Sequence, residues 1–258
     1  VETLLTKGPG CAQAQAGELE GSFDRLVVAG GDGTISDAVN GLQDPSSLPI
    51  LPIGVGTANM LCRELNLPNE PEKLTRIIED GTVKCIDMAT AGDRRFLLVA
   101  GAGFDGTVTK ILSEQKRGRL GYRGYVKPIM DAIALYEPIE MDVQVDDGDP
   151  VKGYNVIVSK VRRYGGYFVF TDNASLDSGD LEVIVFPSGS IPSVIGYSMA
   201  AFLRKIDRLE GVMKMRGRKV RIDSAEPVPI QLDGDYYGTT PVTLEIKPAS
   251  VPVLTGLN

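Results

Sequence analysis

Residues 26–34 read LVVAGGDGT, and this stretch constrains the chain more than any other. An apolar run, Leu26-Val27-Val28-Ala29, stops at Gly30-Gly31-Asp32-Gly33-Thr34. Ile35, Ala38, Val39 and Leu42 then recur at helical spacing. The order is strand, glycine turn, helix start. Glycine admits positive φ and lets backbone N–H groups approach an anion closely, and the helix N-terminus adds partial positive charge. The pattern reads as a phosphate-binding turn with a carboxylate, Asp32, inside it. A carboxylate beside phosphates makes sense with a metal ion or a proton transfer, so the turn points to phosphoryl chemistry. It is not a Walker A loop: no G-x-x-x-x-G-K-[ST] is present and no lysine sits in the turn. The plain alternative is a tight strand-to-helix connection without a ligand.

The composition narrows the chemistry. The 258 residues suffice for one large or two modest domains. A net charge of −7 argues against broad nucleic-acid binding. No apolar stretch reaches the roughly 18–20 residues that span a membrane. Cys11, Cys62 and Cys85 form no framework spacing and read as free thiols of a reducing compartment, so cytoplasm is the expected location. Histidine is absent. Histidine-based triads and nearly all zinc sites are thereby excluded, leaving acid–base work to Asp, Glu, Lys or Tyr and favouring a hard cation, Mg²⁺ first.

To about Ile86 the sequence alternates strands and helices: strands at Val1–Leu5, Asp24–Ala29 and Pro49–Ile53, helices at Cys11–Glu20, Ala58–Leu65 and Glu72–Glu79. That rhythm predicts parallel βαβ units. From about Asp87 it changes. Short alternating strands are predicted at Phe96–Ala100, Met141–Val145, Tyr154–Val158, Tyr167–Thr171, Leu181–Phe186, Lys219–Asp223, Ile230–Leu232 and Val242–Ile246. Gly/Asp/Pro turns separate them, the signature of an antiparallel sandwich. Helices are predicted at Gly124–Tyr136 and Ile191–Leu203. The expected organisation is an α/β nucleotide domain over 1–86 and a β-sandwich domain over 87–249, with the tail 250–258 returning to the first.

Four further clusters carry chemical meaning. Gly54-Val55-Gly56-Thr57-Ala58-Asn59 is a second glycine turn after a strand, so two anion-facing turns share the carboxyl edge of one sheet, where open α/β sheets hold ligands; Thr57 as a mere N-cap is the alternative. Gly101-Ala102-Gly103-Phe104-Asp105-Gly106 fits G-x-G-x-x-G, but no strand ending in an acid follows at the right distance, so tight packing is the better reading. Asp233-Gly234-Asp235 is a turn between strands, a plain hairpin unless it faces the phosphate turn. Basic residues concentrate at Lys116–Arg123, Arg162-Arg163 and Arg204–Arg221, a solvated face or a surface for anionic lipid.

Together these residues resemble the diacylglycerol kinase catalytic-domain family, which includes bacterial diacylglycerol and related lipid kinases and the sphingosine and ceramide kinases. The resemblance rests on Thr6-x-Gly8-Pro9-Gly10, on Gly30–Thr34 with Val39-Asn40-Gly41-Leu42, on Pro52–Asn59 with Arg63-Glu64-Leu65, on Gly103-Phe104-Asp105, and on Leu232–Asp235, all in order. It implies a Rossmann-like three-layer nucleotide domain, an antiparallel sandwich, and a site in the cleft between them. It further implies that Thr6, Gly30, Gly31, Asp32, Gly33, Thr34, Gly56 and Thr57 hold ATP, that Asp32 lies near phosphates and Mg²⁺, and that Asp235 or Asp233 takes the proton of a lipid hydroxyl. Asp235 stands where the family usually has glutamate. Ser175–Asp180 resembles a metal-binding loop with Ser178 in place of an aspartate, leaving Asp32, Ser175, Asp177 and Asp180 as metal candidates. Family members begin with a first strand and an Asn-Pro-x-Ser-Gly-type loop that also contacts nucleotide; the sequence from Val1 lacks both, so the α/β domain is expected to be short of one strand and one phosphate-binding wall. The implied activity is ATP-dependent phosphorylation of diacylglycerol or a related lipid at a membrane surface by a peripheral protein, with homodimerisation open. A NAD kinase-like enzyme and a non-catalytic nucleotide- or lipid-binding module remain the alternatives.

Overall fold

The structure is a computed structural model that describes residues 1–8, 10–19, 21–115, 124 and 126–256. Its first half contains α1 (Cys11–Leu19), β1 (Leu26–Gly30), α2 (Asp32–Gly41), β2 (Ile50–Gly54), α3 (Met60–Glu64), α4 (Pro71–Asp80) and β3 (Thr82–Ala91). The second half follows with β4 (Arg94–Phe96), β5 (Val99–Ala102), α5 (Phe104–Glu114), α6 (Val126–Leu135), β6 (Met141–Val145), β7 (Val151–Gly153), β8 (Asn155–Ser159), β9 (Arg163–Tyr164) and β10 (Phe168–Val169). It ends with β11 (Leu181–Phe186), α7 (Ile191–Phe202), β12 (Met213–Gly217), β13 (Lys219–Ser224), β14 (Pro229–Leu232), β15 (Asp235–Thr239) and β16 (Val242–Thr255). Val1–Leu5, expected as a strand, forms no regular element: it is exposed and unpaired with the sheet, and short apolar runs do not hold a strand by themselves.

One eight-stranded sheet runs in the order β1-β2-β16-β13-β6-β7, with β3 paired to β16 and β4 to β3. Among the described residues only β1–β2 and β2–β16 pair in parallel, Gly30 lying opposite Gly54 and Val253 opposite Ile50. Alternation along these strands sorts side chains to two faces. Ile50 and Val253 join the core under α1, α2 and α3, whereas Leu51 and Leu254 pack with Leu74 and Ile77 of α4 on the other face. This is the expected three-layer unit. The tail returns to it as β16, and the expected boundary at residue 86/87 falls inside β3, which spans both halves.

A six-stranded sheet, β12-β11-β8-β5-β14-β15, lies over the antiparallel part of the first. Inward residues of both, among them Val143, Val158, Val183, Val220, Ile230 and Leu244, form the sandwich core. The G-x-G-x-x-G stretch belongs here as the corner from β5 into α5, a helix absent from the sequence reading. Gly103 has φ +100°, and a Cβ on Gly106 would lie 2.0 Å from the carbonyl oxygen of Pro229 in β14. The glycines serve helix-on-sheet packing. Gly106→Ala should therefore lower stability by roughly 1–3 kcal/mol through overpacking, read as a shifted urea midpoint at constant m-value. The basic stretch Lys116–Arg123 lies outside the described residues.

Candidate functional site

The two glycine turns touch. Val55 N–H donates to the Gly30 carbonyl oxygen at 3.0 Å. A Cβ on Gly56 would sit 2.5 Å from Gly31 Cα, so only glycine lets the turns approach this closely. Asn59, at φ 50°, braces the second turn: its Oδ1 accepts from Gly56 N–H at 2.7 Å. Asp32 opens α2, and its Oδ1 accepts Leu61 N–H at 3.1 Å. The carboxylate in the turn thus clasps α2 to the first turn of α3. Neither α2 nor α3 has a side-chain N-cap bond of its own, and the leading N–H groups of a helix lack intrahelical partners. The leading end of α2, which has no side-chain cap, and the paired glycine turns beside it form a backbone cradle for phosphate.

The acidic turn approaches this cradle from the second half. Asp233 (φ 51°) and Gly234 (φ 92°) make a left-handed corner between β14 and β15. Their carboxylates divide the work. Asp233 is buried and accepts N–H bonds from Leu97 (2.9 Å), Leu98 (2.8 Å) and Val99 (3.1 Å), with Ser36 of α2 adding a side-chain bond. Its oxygens are committed to the scaffold, so Asp233, read from sequence as a candidate base, is a positioning residue. Asp235 is exposed, and its Oδ2 lies 3.8 Å from the position of a Cβ on Gly33. Desolvation at this wall raises its pKa, Asp37 raises it further, and Arg94 opposes both. Arg94 donates to Asp37 at 3.2 Å. The sequence reading missed Asp37 and Arg94; Asp37 stands one helical turn beyond Gly33, but nothing local in the sequence brings Arg94 to it.

Burial pushes the Asp233 carboxyl up to about 6 against the pull of its three backbone donors and Ser36. A carboxyl raised in the folded state contributes stability that is full below its ordinary value, 3.8, and is lost as pH rises through about 6. Asp233→Asn should remove that fall, so the stability difference between variant and parent changes between these pH values and is flat above them. Urea unfolding across that range measures it.

The remaining candidates fall elsewhere. Thr6 is exposed in the irregular segment before α1, and no described contact joins it to Gly30–Thr34. Ser175, Asp177 and Asp180 are engaged within their loop and its neighbours. Ser175 hydroxyl donates to Asp177, Lys84 pairs with Asp177 at 2.8 Å, and Arg216 pairs with Asp180. Lys84 and Ser175 together hold the Asp177 carboxyl below the usual carboxylate range. Lys160, fully buried, enters the same loop: its ammonium donates to Asp87 Oδ2 (2.7 Å), Ser178 Oγ (3.0 Å) and the Asp180 carbonyl oxygen (2.7 Å). An internal cation thus takes the Ser178 hydroxyl and the Asp180 carbonyl oxygen, while the Asp180 carboxylate oxygen Oδ1 is buried without a hydrogen-bond partner among the described residues. Asp32, a hard oxygen donor inside the phosphate cradle, fits Mg²⁺, which is commonly held by one or two carboxylates plus substrate phosphates. Among the described residues no group of three or more His, Cys, Asp or Glu could hold a metal without such help.

A polar thread leads from the acidic turn into a cavity. Gly234 N–H donates to Gln231 Oε1 (2.7 Å), Gln231 Nε2 to Asp105 Oδ2 (2.9 Å), and Tyr164 hydroxyl to Asp105 Oδ1 (2.7 Å). Burial raises the Asp105 pKa against these two bonds. Beyond Asp105 opens an aromatic cavity of about 120 Å³, with Phe104, Tyr164, Phe170, Phe186 and Tyr197 in its walls. It is large enough for part of an alkyl chain and is ringed by apolar surface.

The family described as diacylglycerol kinase catalytic domain matches residues 1–91, and the YegS C-terminal NAD kinase beta sandwich-like domain matches residues 98–255. A diacylglycerol kinase of Bacillus subtilis (strain 168) is 26% identical over 223 residues, covering 85% of this chain and 73% of the relative. A crystal structure of a diacylglycerol kinase from Bacillus anthracis str. Sterne superposes with TM-score 0.72 at 22% identity, over 97% of this chain and 83% of the other. An Archaeoglobus fulgidus NAD kinase solved with ATP superposes with TM-score 0.55 at 17% identity, over 100% and 84% of the two chains. At these identities the solved structures speak for the fold alone.

Proposed function

Because the chain belongs to the diacylglycerol kinase catalytic-domain family with a YegS-type C-terminal sandwich, we propose that it transfers the γ-phosphoryl group of ATP to the hydroxyl of a membrane lipid, diacylglycerol first. One observation carries this reading: Asp235, from the second half, lies against the Gly33 turn of the first, 3.8 Å from its Cβ position. A carboxylate with a raised pKa beside a phosphate cradle is what an alcohol acceptor requires.

The chemistry follows from positioning and charge more than from covalent steps. Backbone N–H groups of the two glycine turns and the leading end of α2 orient the phosphates. Asp235 accepts the proton as the acceptor oxygen attacks the γ-phosphorus, and ADP leaves. Asp233 and Ser36 hold the acidic turn against α2, so base and cradle keep their spacing. Asp32 would hold Mg²⁺ at the phosphates, and the ion when bound neutralises their charge. The thread Asp235-Gly234-Gln231-Asp105 ends at the aromatic cavity, which supports an acceptor with one apolar tail in that cavity and its hydroxyl near Asp235.

The test incubates the protein with γ-labelled ATP and detergent-dispersed diacylglycerol, NAD serving as a parallel acceptor. Labelled phosphatidic acid is the expected product. Label in NADP and none in lipid would overturn the lipid reading.

A further inference from the structure

The helix α7 has two unlike sides. Val194, Tyr197 and Ser198 line the aromatic cavity. On the other side Ile195, Met199 and Phe202 follow each other at i, i+4 and i+7, and all are more than half exposed (54%, 55% and 56%), with Leu203 exposed beside them. This stripe is apolar on a helix that has already satisfied its own core through Val194, Ala200 and Ala201. Folding therefore gives no reason for it. Tyr167 extends the patch: it is exposed at the tip of the β9–β10 hairpin, whose Phe168 ring stacks edge-on with Phe202.

Charge selects what covers the patch. Directly after α7 come Arg204, Lys205 and Arg208, all exposed and, among the described residues, without an ion pair. Nearby Lys214 and Arg216 are already paired with Asp207 and Asp180. Three unpaired cations at the end of an exposed apolar stripe, in a chain of net charge −7, form a local asymmetry that suits one occupant, an anionic lipid surface. An apolar stripe enters the headgroup boundary, and basic residues at its edge meet lipid phosphates. Among the described residues no helix is long and apolar enough to cross a membrane, so the contact would be interfacial.

We infer that the outer side of α7, with Tyr167 and the Arg204–Lys205–Arg208 cluster, is the surface on which this protein docks onto anionic bilayers. This deepens the proposed lipid-kinase reading and rests on it only for its purpose. A helix lying in the interface sets its inner side, and hence the cavity leading to Asp105, next to the acyl region. The acceptor then reaches the acidic turn without crossing water.

Vesicle co-sedimentation tests the surface with phosphatidylcholine vesicles with and without phosphatidylglycerol. The protein should bind the anionic vesicles and release as salt rises. Lys205→Glu/Arg208→Glu should weaken binding at least about tenfold, since each basic residue near such a surface contributes about a factor of five. Ile195→Glu/Met199→Glu should weaken it by a comparable factor and reduce the residual binding at high salt. Both pairs are exposed, and an unchanged unfolding midpoint checks that they fold. Turnover of short-chain diacylglycerol in detergent should stay at the parental rate in both. Parental vesicle binding in either variant overturns the inference, as does loss of a dimer on sedimentation without loss of vesicle binding, which would assign the stripe to a second copy. Absence of detergent turnover in the parent, with vesicle binding lost in the variants, overturns the kinase reading and leaves the docking surface standing.

Discussion

Asp235→Asn should lower turnover by about 10²–10⁴-fold, the usual contribution of a general base, while leaving nucleotide affinity near its parental value. The side chain keeps its volume, so the cradle of Gly30–Thr34 and Gly56 is undisturbed. Only the proton acceptor is lost. Single-turnover transfer from labelled ATP, paired with equilibrium nucleotide binding, separates the two quantities. Loss of binding together with turnover would show that Asp235 shapes the cradle instead. The pH dependence carries the same assignment. A base works deprotonated, so turnover falls as pH drops through its pKa, which desolvation and Asp37 raise above the ordinary carboxylate value of 3.8. Asp37→Asn should move the acid limb of kcat/KM to lower pH. A limb that stays in place removes Asp37 from the electrostatics of the site.

Lys160→Met should be strongly destabilising, costing roughly 3–5 kcal/mol, because it strands a buried carboxylate. Asp87 is the hub. Its Oδ1 accepts Ala249 N–H at 2.9 Å, and its Oδ2 accepts Gly179 N–H and the Lys160 ammonium, each at 2.7 Å. Asp87 lies in β3 opposite the bulge of β16 between Lys247 and Val251, where the sheet passes from the sandwich to the nucleotide half. Against a typical total of about 5–15 kcal/mol the loss is severe. The double variant Lys160→Met/Asp87→Asn should recover much of it, because neither charge is then left alone. Urea unfolding of parent, single and double variants gives the coupling directly. A double variant no more stable than the single would assign the loss to packing of the lysine stem.

What could be read from the sequence was local. Gly30–Thr34 and Gly54–Asn59 were legible because turn chemistry and helical period lie within one short stretch, and both emerge as strand-turn-helix units on one sheet edge. The sandwich strands β6 and β13 were legible because alternation marks a half-buried strand, and β11, buried along its whole length, because it is a short apolar run bounded by turn residues. The relation of Asp233 to Asp235 was not: two acids flank one glycine, and only the backbone N–H groups of Leu97, Leu98 and Val99 decide which is buried. Lys160 gave no signal, since a lysine at a strand end reads as surface, and its partner Asp87 is far away in the chain. The helix α5 was hidden by Thr107, Val108, Thr109 and Ile111, β-branched residues that weaken a helical reading. The full length of β16 was hidden by Pro248 and Pro252, which read as strand ends.

That strand has a consequence for how the protein is made. β2 finds its second neighbour only in Val253 of β16, and β3 finds nearly all its pairing along the same strand. While the intervening sandwich emerges from the ribosome, the phosphate cradle rests on a sheet with an open flank, and unpaired edges recruit other chains. The nucleotide half is thus the first written and the last closed. A chain stopped before residue 242 should accumulate as chaperone-bound or aggregated material even though both glycine turns are already present.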